Sequence, residues 1–566
     1  MARAQPPCSF SDQSAAAGLD SPYSCPLGVT DLCDSVLYWM TSGGAAGDFD
    51  NDGWVDLFIL GGGAEPDHLY MNNGPDASGV VTFTDRATEA GVALAHFGTG
   101  VAVGDVNNDG RLDIYVTSFG PPEVAPAFGY HRLYINTGTQ GSVAFVDIAE
   151  QAGVAITGRG RPDGFGAALG DYDLDGDLDL AVGGWIDALE GNRLFRNDGA
   201  DASGAVHFTD VTGDAIVFGP DPIRGFSPRF ADMDGDRYPE LLWVADFETS
   251  RYFINNADGT FTDATAASGT SREDNGMGQT LADFDGDTRP DWFVTSIYGA
   301  GPTGNTLYLN QGGHRYVQVA HEAGVDVGGW GWGTAALDAN LDGLMDIAET
   351  NGWPAGWRDE QMYLYLNRGD GTFAEAALPS GLDHTGMGRG LFTLDYDNDG
   401  DQDLVVLDNQ GPPTLYRNDT AAGHWLRIAL DTSRDRRLAP RGQGARIIAE
   451  VGPDRLARFV TGGTNYLSQG QMLVHLGLGT APSVDVLRVQ WSRGVETILR
   501  DVPADQMITI SACPADLTGD ARADVRDFFA FVRALADMDP IADLDGDGVI
   551  GGPDVLVFFE AFGACN

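Results

Sequence analysis

Seven times the chain writes an acidic phrase that runs straight into an apolar strand. The copies are "GDFDNDGWVDLFI" from Gly47, "GDVNNDGRLDIYV" from Gly104, "GDYDLDGDLDLAV" from Gly170, "ADMDGDRYPELLWV" from Ala231, "ADFDGDTRPDWFV" from Ala282, "LDANLDGLMDIAE" from Leu337 and "LDYDNDGDQDLVV" from Leu394. Their first acids are spaced by 51 to 66 residues, a period that points to propellers or arrays with one supersecondary unit per repeat. A glycine-rich strand precedes each loop, as in "GFGAALGD" from Gly164, and a Leu/Tyr-aromatic-x-Asn strand follows it, as in "LYIN" at Leu133. A fourth segment, as in "FVDIAEQAGV" from Phe145, closes the first six units. The seventh unit lacks that segment after Leu415, whereas "FSDQSAAAGL" stands at Phe10, ahead of the first loop. An unpaired sheet edge must be covered, so the displaced copy predicts that Phe10–Gln13 completes the last unit and closes a ring. The expected fold is all-β, a seven-bladed β-propeller.

The loops read as D-x-D-x-D-G-x-x-D. Position 1 is Asp48, Asp105, Asp171, Asp232, Asp283, Asp338 and Asp395; position 3 is Asp50, Asn107, Asp173, Asp234, Asp285, Asn340 and Asp397. Position 5 is Asp52, Asp109, Asp175, Asp236, Asp287, Asp342 and Asp399, and position 9 is Asp56, Asp113, Asp179, Glu240, Asp291, Asp346 and Asp403. Side chains at these positions can converge on one cation. The carbonyls at position 7 (Trp54, Arg111, Asp177, Tyr238, Arg289, Leu344 and Asp401) would add a ligand. Hard oxygen donors in a flexible loop suit Ca²⁺ better than Mg²⁺ or Zn²⁺. Solvated turns would not need four spaced acids. Arg237 and Thr288 at position 6, and Asn107 and Asn340 at position 3, mark four loops expected to bind more weakly.

On these motifs, the stretch from about Phe10 to Asn418 resembles the FG-GAP/VCBS repeats of integrin α-subunit heads and of secreted bacterial propellers. The resemblance implies calcium in the loop between the first two strands of a blade, and a binding rather than a catalytic role. From His424 the chain alternates like strands, and "GQGARIIAEVG" with "GGTNYLSQGQMLVHLGLG" resembles the ASPIC/UnbV module of cartilage acidic proteins. Within it Tyr466, Ser468 and Gln469 suit packing and turns better than a ligand site. Two twelve-residue loops follow, "DLTGDARADVRD" and "DLDGDGVIGGPD". Asp516, Thr518, Asp520 and Asp527 in the first, and Asp543, Asp545, Asp547, Val549 and Asp554 in the second, match EF-hand positions. Each loop leads into an apolar helical stretch, a pairing that resembles type I dockerins, which attach secreted bacterial proteins to cohesin partners. A calcium-stabilised cap is the other reading. Three units are expected: the propeller over 1–423, a β-sandwich-like domain over 424–512, and a small α-helical EF-hand/dockerin-like module over 513–566.

Composition removes several functions. The net charge of −50 and 83 acids argue against nucleic acid and anionic membranes. All 33 basic residues are arginine, so Walker loops and Schiff-base chemistry are excluded. No apolar run reaches the roughly 18 residues of a membrane helix. The five cysteines (Cys8, Cys25, Cys33, Cys513 and Cys565) lie at the two ends without zinc spacing, which favours disulfides in an oxidising, extracellular setting with one thiol left over. No signal peptide is visible, although Ala2-Arg3-Ala4 fits the end of a cleavage site. The nine histidines are scattered and read as loop or packing residues. Trp330, Trp353 and Trp357 break the repeat and are candidates to stack on a sugar or anchor a protein. The expected function is calcium-dependent binding of a protein or glycan on the face opposite the metal loops. The rival is a carbohydrate-active enzyme using a pair among Asp187, Glu190, Glu349, Asp359 and Glu360.

Overall fold

The computed structural model describes residues 7–25, 33, 35–120, 129–158, 163–201, 204–219, 222–299, 303–354, 356–420, 423–519, 522–544 and 549–565. Asp520, Asp545 and Asp547, and the Ala2-Arg3-Ala4 stretch, lie outside the described residues. The chain is mostly β. Each acidic phrase forms the turn between the first two strands of an antiparallel four-stranded meander. Sheet 2 is typical, with strands Gly98–Gly104, Asp113–Ser118, Arg132–Asn136 and Phe145–Asp147 in that order. Sheets 1 and 3 to 6 repeat the pattern, beginning at Gly44, Ala167, Arg224, Gln279 and Gly331. Sheet 7 is built from Gly388–Leu394, Asp403–Asp408 and Thr414–Asn418, and its fourth strand is Phe10–Asp12, paired Phe10 with Asn418 and Asp12 with Tyr416. The displaced N-terminal segment therefore does complete the last sheet.

One side chain per sheet links it to its neighbour. The asparagine of each third strand is buried, and its Nδ2 donates to the carbonyl of loop position 2 in the preceding sheet. The bonds run Asn136 to Phe49, Asn197 to Val106, Asn255 to Tyr172, Asn310 to Met233, Asn367 to Phe284, Asn418 to Ala339, and Asn72 to Tyr396, at 2.7–3.0 Å. Followed in order these seven bonds return to their start, so the sheets form a closed, propeller-like ring. Apolar clusters fill the wedges between adjacent sheets; Phe58 and Leu69 of sheet 1, for example, share a core with Val101, Ile114 and Tyr134 of sheet 2. Each bond satisfies a buried amide and carbonyl that the wedge would otherwise strand.

Residues from His424 onward form a second β unit. A three-stranded sheet (His424–Asp431, Val474–Gly479, Gln506–Ser511) and a four-stranded sheet (Arg446–Val451, Asp454–Phe459, Ser483–Gln490, Glu496–Pro503) enclose Leu426, Ile447, Leu476, Leu487 and Trp491. Its long connection, residues 461–473, leaves the domain and enters the middle of the ring. There it meets every sheet. Gly44 pairs in parallel with Ser468; Val101 N donates to Leu467 O at 3.0 Å, Thr464 N to Ala167 O at 3.0 Å, and Ser227 Oγ to Tyr466 O at 3.1 Å. Gln279 N donates to Asn465 O at 2.8 Å, Gln471 N to Thr393 O at 3.0 Å, and the Trp332 ring packs 5.2 Å from Tyr466. The glycine-rich inner strands now have a reason. A Cβ on Gly43, Gly166 or Gly278 would stand 2.6, 2.6 or 2.5 Å from a carbonyl oxygen of this plug, so only glycine lets the two backbones approach.

The C-terminal residues form two helices, Val525–Asp537 and Gly552–Ala564, around Phe531, Ala534 and Phe558. Disulfides join Cys25 to Cys33 and Cys513 to Cys565, leaving Cys8 buried against Ser380 Oγ at 3.1 Å. Among the described residues no helix is long and apolar enough to cross a membrane.

Candidate metal centres

Loop carboxylates come together in threes, positions 1, 3 and 9 in loops 1, 3 and 5 and positions 1, 3 and 5 in loop 4. In loops 1, 3 and 5 the trios Asp48–Asp50–Asp56, Asp171–Asp173–Asp179 and Asp283–Asp285–Asp291 each place their oxygens within 4.8 Å of one another. Local hydrogen bonds hold them there. In six loops the position 1 aspartate accepts from the amides of positions 5 and 6, as Asp48 does from Asp52 and Gly53 at 3.0 Å each, whereas Asp232 of loop 4 accepts from Gly235 and Arg237. The position 5 aspartate accepts from the amide of position 7, as Asp52 does from Trp54, Asp109 from Arg111, Asp175 from Asp177 and Asp236 from Tyr238. The same bond joins Asp287 to Arg289, Asp342 to Leu344 and Asp399 to Asp401.

Position 9 has a second duty that its place in the motif does not announce. Asp113 accepts from Val106 N at 2.9 Å and Asn136 N at 2.8 Å, tying loop to third strand, and the aspartates of the other five such loops repeat both bonds. These carboxyls are buried. Burial and the neighbouring loop acids push Asp56 up to about 8 and raise Asp113, Asp179, Asp291, Asp346 and Asp403 well above the ordinary range, although backbone donors oppose the shift. Burial raises Asp338 and Asp395 to about 7 and Asp173, Asp232 and Asp283 to about 6. Buried Oδ1 atoms of Asp173, Asp397 and Asp401 have no hydrogen-bond partner. Orphaned acidic oxygens in an all-oxygen set fit a hard dication. Loops 2 and 5 differ, because Arg111 pairs with Asp109 and Arg289 with Asp287. The Asn107 amide donates to Asp109 at 2.9 Å and the Asn340 amide to Asp342 at 3.2 Å.

The second β unit sits on these loops. Arg427 Nη1 lies 2.7 Å from Asp395 Oδ2 with both side chains 4% exposed, and Arg458 Nη2 lies 3.9 Å from Asp338 Oδ2. Arg441 reaches Asn51 Oδ1 at 3.2 Å and faces Asp48 and Asp105, Arg493 donates to Leu174 O at 3.2 Å, and Arg446 donates to Thr288 O. His475 Nε2 contacts Gly400 O at 2.9 Å. Fixed arginines thus stand beside the acidic loops of most sheets, while the loop tips, such as Asp52, Asp109, Asp234 and Asp285, stay exposed.

The other face carries the tryptophans. Trp353 stacks on Trp330 at 4.7 Å and on Trp332 at 5.6 Å, and Trp39 meets its edge at 5.8 Å. Trp330, Trp353 and Trp357 are all half-buried, and Trp330 and Trp353 pack against the central cluster of Phe226, Trp332 and Tyr466. Of the five spare acids, Glu349 and Glu360 flank the same glycine run, Gly328–Gly331. Glu349 is buried, accepts from Asn305 Nδ2 at 2.6 Å, and keeps Oε1 without a partner. In the tail, Asp527 accepts from Thr518 N at 2.8 Å and Asp524 N at 2.8 Å, and Asp554 from Leu544 N at 2.7 Å and Gly551 N at 2.6 Å. Val549 is exposed.

Comparison with known proteins matches the description FG-GAP-like repeat at residues 48–116, 232–294 and 355–406, and ASPIC and UnbV at 436–515. The chain carries FG-GAP-like repeats and an ASPIC/UnbV domain. Cartilage acidic protein 1 of Mus musculus is 23% identical over 501 residues (83% of this chain, 64% of that protein), and that of Homo sapiens is 23% identical over 496 residues (83% and 62%). The Xenopus tropicalis protein of that name is 29% identical over 218 residues, 37% of this chain and 30% of that protein. The chain thus matches less than two thirds of the length of these relatives. The exotype rhamnogalacturonan lyase YesX aligns at 16% identity with a TM-score of 0.34, covering 64% of this chain and 60% of that one. The ASPIC/UnbV domain is the unit that plugs the ring and contacts the acidic loops.

Proposed function

We propose that this protein is an extracellular, calcium-loaded recognition scaffold, a seven-bladed β-propeller over 1–423 that binds a protein or glycan partner. In this reading residues 424–512 are its permanent lid and 513–566 a paired-loop calcium module of EF-hand or dockerin type, suited to a cohesin-like partner. One observation carries the choice of face. The ASPIC/UnbV domain fills the ring centre and sets its arginines against the acidic loops, which favours binding on the opposite face, where the half-buried Trp330 and Trp357 lie. Irregular loops on a rigid scaffold are where recognition concentrates. The disulfides Cys25–Cys33 and Cys513–Cys565 support an oxidising compartment. The test is an array of immobilised glycans and matrix proteins probed with the full chain, with and without calcium, against Trp330→Ala and Trp357→Ala. A ligand held equally by both variants and cross-linking to Asp50, Asp173 or Asp397 would sink the assignment.

A second reading, a carbohydrate-active enzyme, rests on the buried Glu349 carboxyl. Burial and the nearby Glu360 charge raise it, the pattern of an acid kept protonated for catalysis. Release of new sugar ends from polysaccharides by the wild-type chain, absent in Glu349→Gln, would favour it over pure binding.

A further inference from the structure

Loop 4 is unlike its six sisters. Its ninth position is Glu240, whose longer side chain keeps one of the two amide bonds seen elsewhere: Oε2 accepts from Met233 N at 2.8 Å. The other oxygen, Oε1, is buried with no partner, and Glu240 is wholly buried. A nitrogen comes in from outside the loop. His314, on the turn between the last two strands of sheet 5, places Nε2 3.1 Å from Asp234 Oδ2. A carboxylate oxygen of Glu240, one of Asp234 and a ring nitrogen of His314 all lie within 4.8 Å of one another. The imidazole is aimed from behind, because Nδ1 lies 3.0 Å from the Tyr252 hydroxyl, which also accepts from Tyr316 at 3.2 Å. With the proton on Nδ1, the Nε2 lone pair faces the acids. A ring nitrogen held by a polar partner is the usual support of a metal-bound histidine.

The turn itself departs from its sisters. His314 has φ +54°, whereas the matching positions in sheets 4 and 6 are Gly259 at +82° and Gly371 at +83°. A bulky side chain thus stands in a backbone conformation that suits glycine.

We propose that loop 4 is a transition-metal site rather than a calcium site. His314 Nε2, Glu240 and Asp234 would supply three ligands to a zinc-class divalent ion, with the fourth position open to water. One imidazole among carboxylates moves preference away from calcium, which takes oxygen donors, toward borderline ions such as Zn²⁺. Asp234 is shared with the calcium reading of this loop, so it holds one ion or the other, and the six remaining loops are unaffected.

The full chain is equilibrated with Zn²⁺ in millimolar calcium, freed of loose metal by gel filtration, and assayed for bound zinc; competition with a chromophoric chelator gives the affinity. The expected result is a zinc equivalent retained against calcium that His314→Gly weakens by at least about tenfold, while His207→Gln, on an exposed strand position of sheet 3, leaves it unchanged. Glycine is what the sister turns use, so His314→Gly should fold; Glu240→Gln is the second variant and should weaken zinc as well. X-ray absorption at the zinc edge should show one imidazole. Zinc washed out by calcium, or held equally by wild type and His314→Gly, overturns the proposal.

Discussion

Calcium removal should invert the pH dependence of stability. Asp56, Asp338 and Asp395 are almost wholly buried, and in the metal-free chain burial holds their carboxyls at about 8, 7 and 7. An unfolded aspartate titrates near 3.9. Between those values the folded group keeps a proton that the unfolded chain has lost, so unfolding releases protons and stability falls as pH rises. Each group contributes about 1.4 kcal/mol per pH unit, and three contribute about 4 kcal/mol per unit between pH 5 and 6. The loss is complete only above the folded values, near pH 7 to 8. At about 1 °C per kcal/mol for a cooperative unit of this size, chelated protein should melt about 7 °C lower at pH 7 than at pH 5. A bound dication holds the ionised form instead, so the loaded protein should lose stability as pH falls through the carboxylate range. With roughly 1 mM calcium and sites of about 10⁻⁴ M, linkage supplies about 1.4 kcal/mol per site, or about 8 kcal/mol over the six loops other than loop 4. Calorimetric scans from pH 5 to 8, in chelator and in calcium, separate the two slopes. Chelated protein, proven metal-free by metal analysis, that melts higher at pH 7 than at pH 5 would refute the reasoning.

Arg427→Met removes the cation that holds the buried Asp395 carboxyl down, so the calcium-free chain should lose stability above pH 7 and little below it, read as a shift in urea midpoint at pH 6 and pH 8. Tyr466→Ala empties the plug where the ring packs 5.4 Å from Phe226 and the hydroxyl donates to Met40 O at 2.9 Å; a loss of about 3–5 kcal/mol is expected, with no change in far-UV circular dichroism. Asn136→Ala strands the Phe49 carbonyl of the neighbouring sheet and should cost about 1–3 kcal/mol by the same titration. A chain ending at Ala512 should keep the main thermal transition, because the tail has its own core and meets the ASPIC/UnbV domain through bonds such as Ile498 N to Gly519 O at 2.7 Å and Arg437 Nη1 to Asp543 O at 2.8 Å. Loss of that transition would make the tail part of the ring's foundation.

The meanders were legible because each is announced locally: acids at alternate positions, a glycine in the turn, then apolar residues of period two. Ring closure was legible from one displaced segment. The bonds between sheets were not. The asparagine of "LYIN" looks like a turn residue, and its partner Phe49 lies 87 positions away from Asn136. The plug was hidden for the same reason, since Gly43 and Leu467 come together only in space and the strand glycines read as ordinary packing. Arg427, Arg446 and Arg458, which face the acidic loops, alternate like any solvent-facing strand residues. A lone histidine in a turn carries no metal signal until the neighbouring sheet supplies Glu240 and Asp234. Tyr466, Ser468 and Gln469 were read as packing residues, and they pack inside the ring rather than within their own domain.

The strand Phe10–Asp12 also bears on how the protein is made. Ser11 bonds to Asp419, 408 residues later. A ribosome adds roughly 5–20 residues per second, so this strand waits on the order of 20–80 seconds for its partner. The plug follows later still. Through that interval the nascent chain presents an open sheet edge and an unfilled apolar axis, both invitations to pair with another chain. Yield during biosynthesis should therefore depend less on the finished ring's stability than on what shields those two surfaces while translation continues.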